Sequence, residues 1–195
     1  MKKDIILAGV GGQGILSIAA VIDFAALSLG YNVKQAEVHG MSQRGGAVQS
    51  NLRISDCEIY SDLIALSCAD LIISVEPMES LRYVPYLSEE GWVITSKDCF
   101  KNIPNYPAEE VLFDHIDQLP RKIAVDAEKL AREAGSVKAS NMVMLGVAAP
   151  FLGIPVEKLK KAIESIFGDK GQKIIDINLK AFDAGLACSK KENLK

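Results

Sequence analysis

Apolar residues recur along this chain in two rhythms, and the change from one to the other marks its elements. Ile5-Ile6-Leu7-Ala8 is apolar at consecutive positions, as a strand covered on both faces would be. From Ile15 to Leu29 the repeat becomes helical. Ile15, Ile18, Ile22, Ala25 and Leu29 form one stripe, and Leu16, Ala20, Phe24 and Leu27 form a second. A helix apolar over so much of its surface is expected to be buried on more than its sheet side. Gly30 stands where a left-handed C-terminal cap belongs.

Asn32–Val38 reads as a second strand. Val48, Ser50, Leu52 and Ile54 then alternate with Gln49, Asn51 and Arg53, the pattern of a half-exposed strand. Leu71–Val75 is another buried strand, and Glu76-Pro77 opens a helix with proline in its first turn. Gly91 precedes a strand over Trp92–Thr95. Residues 97 to 120, interrupted by Pro104, Pro107 and Pro120, are predicted to be the least regular part. Ile123–Val125 is a last strand, and Asp126 caps a helix through Ala134.

Beyond that point the pattern is helical throughout. Asn141–Leu152 is strongly apolar. Pro155 opens a helix with Leu159, Ile163 and Phe167 on one face, closed by Gly168. A final helix aligns Ile175, Leu179, Phe182 and Leu186 before a frayed tail over Lys190–Lys195. The chain reads as one α/β domain over 1–195. A Rossmann-like, mostly parallel sheet with helices on both faces occupies about 1–136, and a helical C-terminal subregion occupies about 137–190.

Composition adds exclusions. The 195 residues suffice for a full core, and 49% hydrophobic with 24% charged residues is ordinary for a soluble protein. A net charge of −3 with scattered lysines leaves no footprint for nucleic acid. No apolar run is long enough for a bilayer and no signal peptide is visible, so a cytoplasmic protein without membrane contact is expected. Cys57, Cys68, Cys99 and Cys188 are widely spread with no C-x-x-C pair. They are expected to be buried free thiols, with no zinc or iron–sulfur site encoded locally.

Two glycine loops carry the candidate chemistry. Gly9-Val10-Gly11-Gly12-Gln13-Gly14 follows the first strand and opens the first helix, with Gly9, Gly11 and Gly14 at G-x-G-x-x-G spacing. In that motif the first glycine permits a tight turn, the second a close approach, and the third helix–strand packing. Free N–H groups of the first helical turn form a weak anion site. Glu37, 23 residues after Gly14, fits the acidic residue that holds a dinucleotide's ribose. A solvated carboxylate, or one paired with Arg44 or Lys34, fits equally well. The second loop, with Ser42, Gln43, Arg44, Gly45 and Gly46, is rich in donors and cationic. Such a loop suits a phosphate, or the backbone or carboxylate of another subunit, and Arg44 could equally be a plain surface residue. His39 beside it reads better as a structural hydrogen-bonding group than as a catalytic acid or base.

Taken together, Gly9–Gly14 and Glu37-Val38-His39-Gly40-Met41-Ser42-Gln43-Arg44-Gly45-Gly46 resemble the gamma-type domain of 2-oxoacid:ferredoxin oxidoreductases. Length and loops are most similar to the branch acting on indolepyruvate and related aryl pyruvates. The resemblance implies decarboxylation of a 2-oxoacid on thiamine diphosphate, electron transfer through 4Fe-4S clusters to ferredoxin, and acyl transfer to coenzyme A. The chain has neither a G-D-G…N motif for diphosphate and Mg nor a cysteine cluster. These groups are therefore expected in a partner resembling the family's large alpha subunit, and no catalytic residue or metal ligand is assigned here. The resemblance leaves this chain a subunit interface and contacts with coenzyme A at the glycine loops. The alternative, resting on the first loop and Glu37, is a free-standing NAD(P)-binding oxidoreductase or nucleotide-binding module.

Overall fold

A central strand buried along nearly its whole length organises the molecule. The computed structural model describes residues 1–40 and 45–192. Strand β1 (Lys2–Val10) is essentially inaccessible from Asp4 to Val10, as its unbroken apolar run requires. On one side it pairs in parallel with β4 (Ala69–Ser74), Ile5 opposite Leu71. On the other it pairs antiparallel with β3 (Ala47–Ser55), from Lys2 opposite Ser55 to Val10 opposite Ala47. Strand β2 (Asn32–His39) lies outside β3, and β5 (Leu87–Ser96) and β6 (Lys122–Val125) continue beyond β4. The order is β2-β3-β1-β4-β5-β6, and only β3 runs against the rest.

Among the described residues, seven α-helices complete the α/β architecture. The larger core lies between one sheet face and α1 (Ile15–Leu27), α4 (Ala127–Ala134), α5 (Ser140–Ala148), α6 (Val156–Phe167) and α7 (Gln172–Glu192). The smaller core, around Ile6, Ala8, Ile72 and Val93, is covered by Ile64 and Tyr83. The six-residue α2 (Pro77–Arg82) lies against β1, β4 and β5, with α3 (Glu109–Asp117) packed on it. A buried ion pair fixes part of that cover. Arg53 Nε and Nη2 donate to Asp4 at 2.7 and 3.1 Å, and Arg53 Nη1 donates to the carbonyls of Ser61 and Leu63.

Local signals explain most boundaries. Gly30 has φ +81, with its N–H on Leu27 O and Tyr31 N–H on Ala26 O, the paired bonds of a Schellman cap. Asp126 accepts from Lys129 N, and Glu76 accepts from Glu79 N. Helices α5 and α7 cross through glycine. A Cβ on Gly146 would collide with the Phe182 carbonyl oxygen, and one on Gly185 with that of Val143.

Several expectations are corrected. Strand β3 is not half-exposed; Val48, Leu52 and Ile54 enter the larger core on one face, and on the other Asn51 is buried and accepts from Ile64 N at 3.2 Å. The region 97–120, expected to be the least regular part, contains α3, which buries Leu112 and Ile116. Strand β5 begins before Gly91 and passes through it at a register shift, where a Cβ would meet Ala69 O at 2.8 Å. Helix α7 continues to Glu192, past the start of the expected tail. None of the cysteines is buried: Cys57 and Cys68 are exposed, Cys99 and Cys188 half-buried. The second stripe of α1 also stays uncovered within the chain, with Leu16 47%, Phe24 46% and Leu27 59% exposed and Ala20 beside them.

Candidate functional site

The two glycine loops meet where β1 ends and β3 begins, Val10 standing opposite Ala47. Gly11 N donates to Gly46 O at 2.8 Å, and Gly45 N donates to Gly11 O at 3.3 Å, extending the β1–β3 ladder into the loops. Within the first loop the glycine roles differ from those the motif suggests. The left-handed conformations fall at Gly12 (φ +103) and Gly14 (φ +80). Gly9 is required for packing, since a Cβ there would strike Val75 of the β4 end. Gly14 approaches not a strand but Asn141 of α5, whose Nδ2 donates to Gly14 O at 3.1 Å. Gln13 closes the turn on itself: its Oε1 accepts from Val10 N at 2.7 Å and its N–H donates to Val10 O.

Two clefts flank this loop. The first, about 430 Å³, runs from Gly11, Gly12 and Gly14 past Leu16 to Glu37 and His39 at the end of β2. Glu37 lies on the α1 side of the sheet, opposite Ser50 and exposed. Because β3 intervenes, Glu37 is two strand spacings, about 10 Å, from β1. In a dinucleotide site the acidic residue belongs to the strand beside β1, so the ribose-binding reading loses its geometry. The exposed His39 ring shares a hydrogen bond with Gly40 O through Nδ1, 2.8 Å away. The second cleft, about 590 Å³, lies between Gly12, Ser17 and the C-terminal helices, and its lining includes Lys138, Lys170 and Glu128. Of the two, this one offers the charge an anionic group would need. Ser42, Gln43 and Arg44 lie outside the described residues, while Gly45 is fixed at φ +77.

Sequence reasoning missed a polar cluster beneath the loops. Glu76, wholly buried at the end of β4, accepts from Glu79 N at 2.8 Å and Phe100 N at 3.3 Å, and from the Tyr106 hydroxyl. Burial pushes the Glu76 carboxyl above the usual carboxylate range, partly offset by these donors. Burial and the neighbouring carboxylate raise Tyr106 well above an ordinary phenol. Asn102, on the same segment, donates to Gly45 O at 2.7 Å. The available signal was Glu76 itself, a charge placed between an apolar strand and a helix-opening proline. Among the described residues, no three of His, Cys, Asp and Glu converge as a metal or cluster would require.

Residues 4–188 match the model of the family described as pyruvate ferredoxin/flavodoxin oxidoreductase. The chain is 38% identical to the indolepyruvate oxidoreductase subunit IorB of Pyrococcus horikoshii, over 98% of both chains. The gamma subunit of a keto/oxoacid ferredoxin oxidoreductase from Geobacter sulfurreducens has the same fold. Its TM-score is 0.71 at 23% identity, over 97% of this chain and 99% of that one. So does 2-oxoglutarate:ferredoxin oxidoreductase from Magnetococcus marinus, solved with 2-oxoglutarate, coenzyme A and succinyl-CoA. There the TM-score is 0.76 at 22% identity, over 97% of this chain but only 31% of that one.

Proposed function

The chain belongs to the pyruvate ferredoxin/flavodoxin oxidoreductase family, and we propose that it is a non-catalytic subunit of an indolepyruvate:ferredoxin oxidoreductase. The complex would convert an aryl pyruvate, coenzyme A and oxidised ferredoxin to an aryl acetyl-CoA, carbon dioxide and reduced ferredoxin. The observation that carries this reading is the end-to-end similarity to the Pyrococcus horikoshii subunit. A large alpha subunit would hold thiamine diphosphate, Mg and the 4Fe-4S clusters, which supply the decarboxylation and electron transfer.

What this chain contributes is surface. Leu16, Ala20, Phe24 and Leu27 form an apolar stripe that an adjoining subunit would cover, and Leu16 reaches the first cleft. The Magnetococcus chain, roughly three times as long, supports such a neighbour: a comparable fold occurs there within one larger polypeptide. At the loops, Gly9, Gly11, Gly12, Gln13, Gly14, Glu37 and Ser42 to Gly46 would frame the approach to coenzyme A. Lys138 and Lys170 in the second cleft would supply positive charge toward its phosphates. No helix among the described residues is long and apolar enough to cross a membrane, and we propose a cytoplasmic location.

Co-expression with the large subunit tests the proposal. A stable complex should form and reduce ferredoxin or viologen only when indolepyruvate and coenzyme A are both present. A large subunit fully active without this chain overturns it.

A further inference from the structure

The segment 97–107 crosses the ends of β4 and β5 without regular structure, yet three hydrogen bonds of differing origin hold it. Phe100 N and the Tyr106 hydroxyl both donate to the Glu76 carboxylate, which is sealed from solvent. Between these two anchors Asn102 turns the other way and donates to Gly45 O at 2.7 Å. Gly45 in turn donates to Gly11 O, and Gly11 N bonds Gly46 O. A continuous path therefore runs from the buried carboxylate, through an irregular segment, to the point where the second glycine loop meets the first. Ordering an irregular segment costs conformational entropy, which these bonds offset. What the segment fixes is Gly45, in a left-handed conformation at the exit of the loop.

We infer that Glu76, Tyr106 and Asn102 are positioning residues, which hold the Gly45 end of the second glycine loop against Gly11. They act through the backbone of Gly45 and touch no reacting atom. Their effect on coenzyme A rests on the reading given under Proposed function; their effect on the loop does not.

Trypsin reads the loop directly, because the Arg44–Gly45 bond adjoins the clamped residue. In the full chain, Asn102→Ala and Tyr106→Phe should speed cleavage after Arg44 at least fivefold relative to cleavage after Lys160 inside α6. Tyr106→Phe keeps the ring and guards against a result due to misfolding. Unchanged relative cleavage, or equal acceleration at both sites, overturns the inference. In the complex with the large subunit, the same variants should raise KM for coenzyme A at least threefold, with a smaller change in kcat. Arg44→Ala separates the two readings. If it raises that KM while Asn102→Ala and Tyr106→Phe neither raise it nor speed cleavage after Arg44, the positioning role falls. If none of the three moves it while selective cleavage persists, the positioning role stands and the coenzyme A reading falls.

Discussion

Asn141 donates its side-chain amide to the carbonyl of Gly14, 3.1 Å away across 127 positions of chain. Its Oδ1 accepts from Met142 N at 2.9 Å, so both ends of a nearly buried amide are used. The bond ties the helical C-terminal third to the first glycine loop. Asn141→Ala should cost about 1–3 kcal/mol, the usual range when buried polar partners are stranded. A lowered urea midpoint with an unchanged slope would register this.

Glycine positions in the first loop should differ sharply in tolerance. Gly12 and Gly14 both have positive φ, but the Cβ position at Gly12 is open while that at Gly14 lies 2.5 Å from Asn141 Nδ2. Gly12→Ala should cost about 1–2 kcal/mol from backbone strain alone. Gly14→Ala should cost more, about 3 kcal/mol or above, because the Asn141 side chain must also move and give up its bond to Gly14 O. Chemical denaturation of the two variants side by side would test the difference.

Asp23 gives the fold a pH dependence. Desolvation raises its carboxyl from the ordinary 3.8 to about 7, and its Oδ1 is buried without a hydrogen-bond donor. The unfolded chain ionises near 3.8 while the folded chain keeps the proton, so this group's stability contribution falls as pH rises from 3.8 to about 7. Above that range the loss is complete, at about 2–4 kcal/mol for this half-buried group. Asp23→Asn should therefore raise Tm at pH 8 and leave it nearly unchanged at pH 4. Melting curves across that interval would show it.

Assembly should depend on the outer face of α1. Phe24 and Leu27 are 46% and 59% exposed, so charges there do not enter the core. Phe24→Glu combined with Leu27→Glu should leave the Tm of the isolated chain within a few degrees. The same pair should weaken association with the large subunit at least tenfold, as burying two unpaired carboxylates would. Co-purification and analytical gel filtration provide the comparison.

Elements whose signals are local were legible from residues alone. Gly30, Pro77 and Asp126 marked helix boundaries because their backbone or capping chemistry acts within one turn. The order of strands was not legible. That β3 inserts between β1 and β2 is set by long-range pairing, which alternation of Val48, Leu52 and Ile54 does not encode. Helix α3 escaped because prolines flank it and it buries only Leu112 and Ile116. At the site, the glycine loops announced themselves by spacing. Asn141 and Asn102 did not, since each acts on residues far away in sequence.

The glycine crossing of α5 and α7 constrains when the molecule can be born. With Gly146 against the backbone at Phe182, and Gly185 against that at Val143, the centre of α5 stays open until the last helix arrives. Phe182 itself belongs to the larger core. A nascent chain from which α7 has not yet emerged lacks that lid, so closure of the domain waits for residues 172–192.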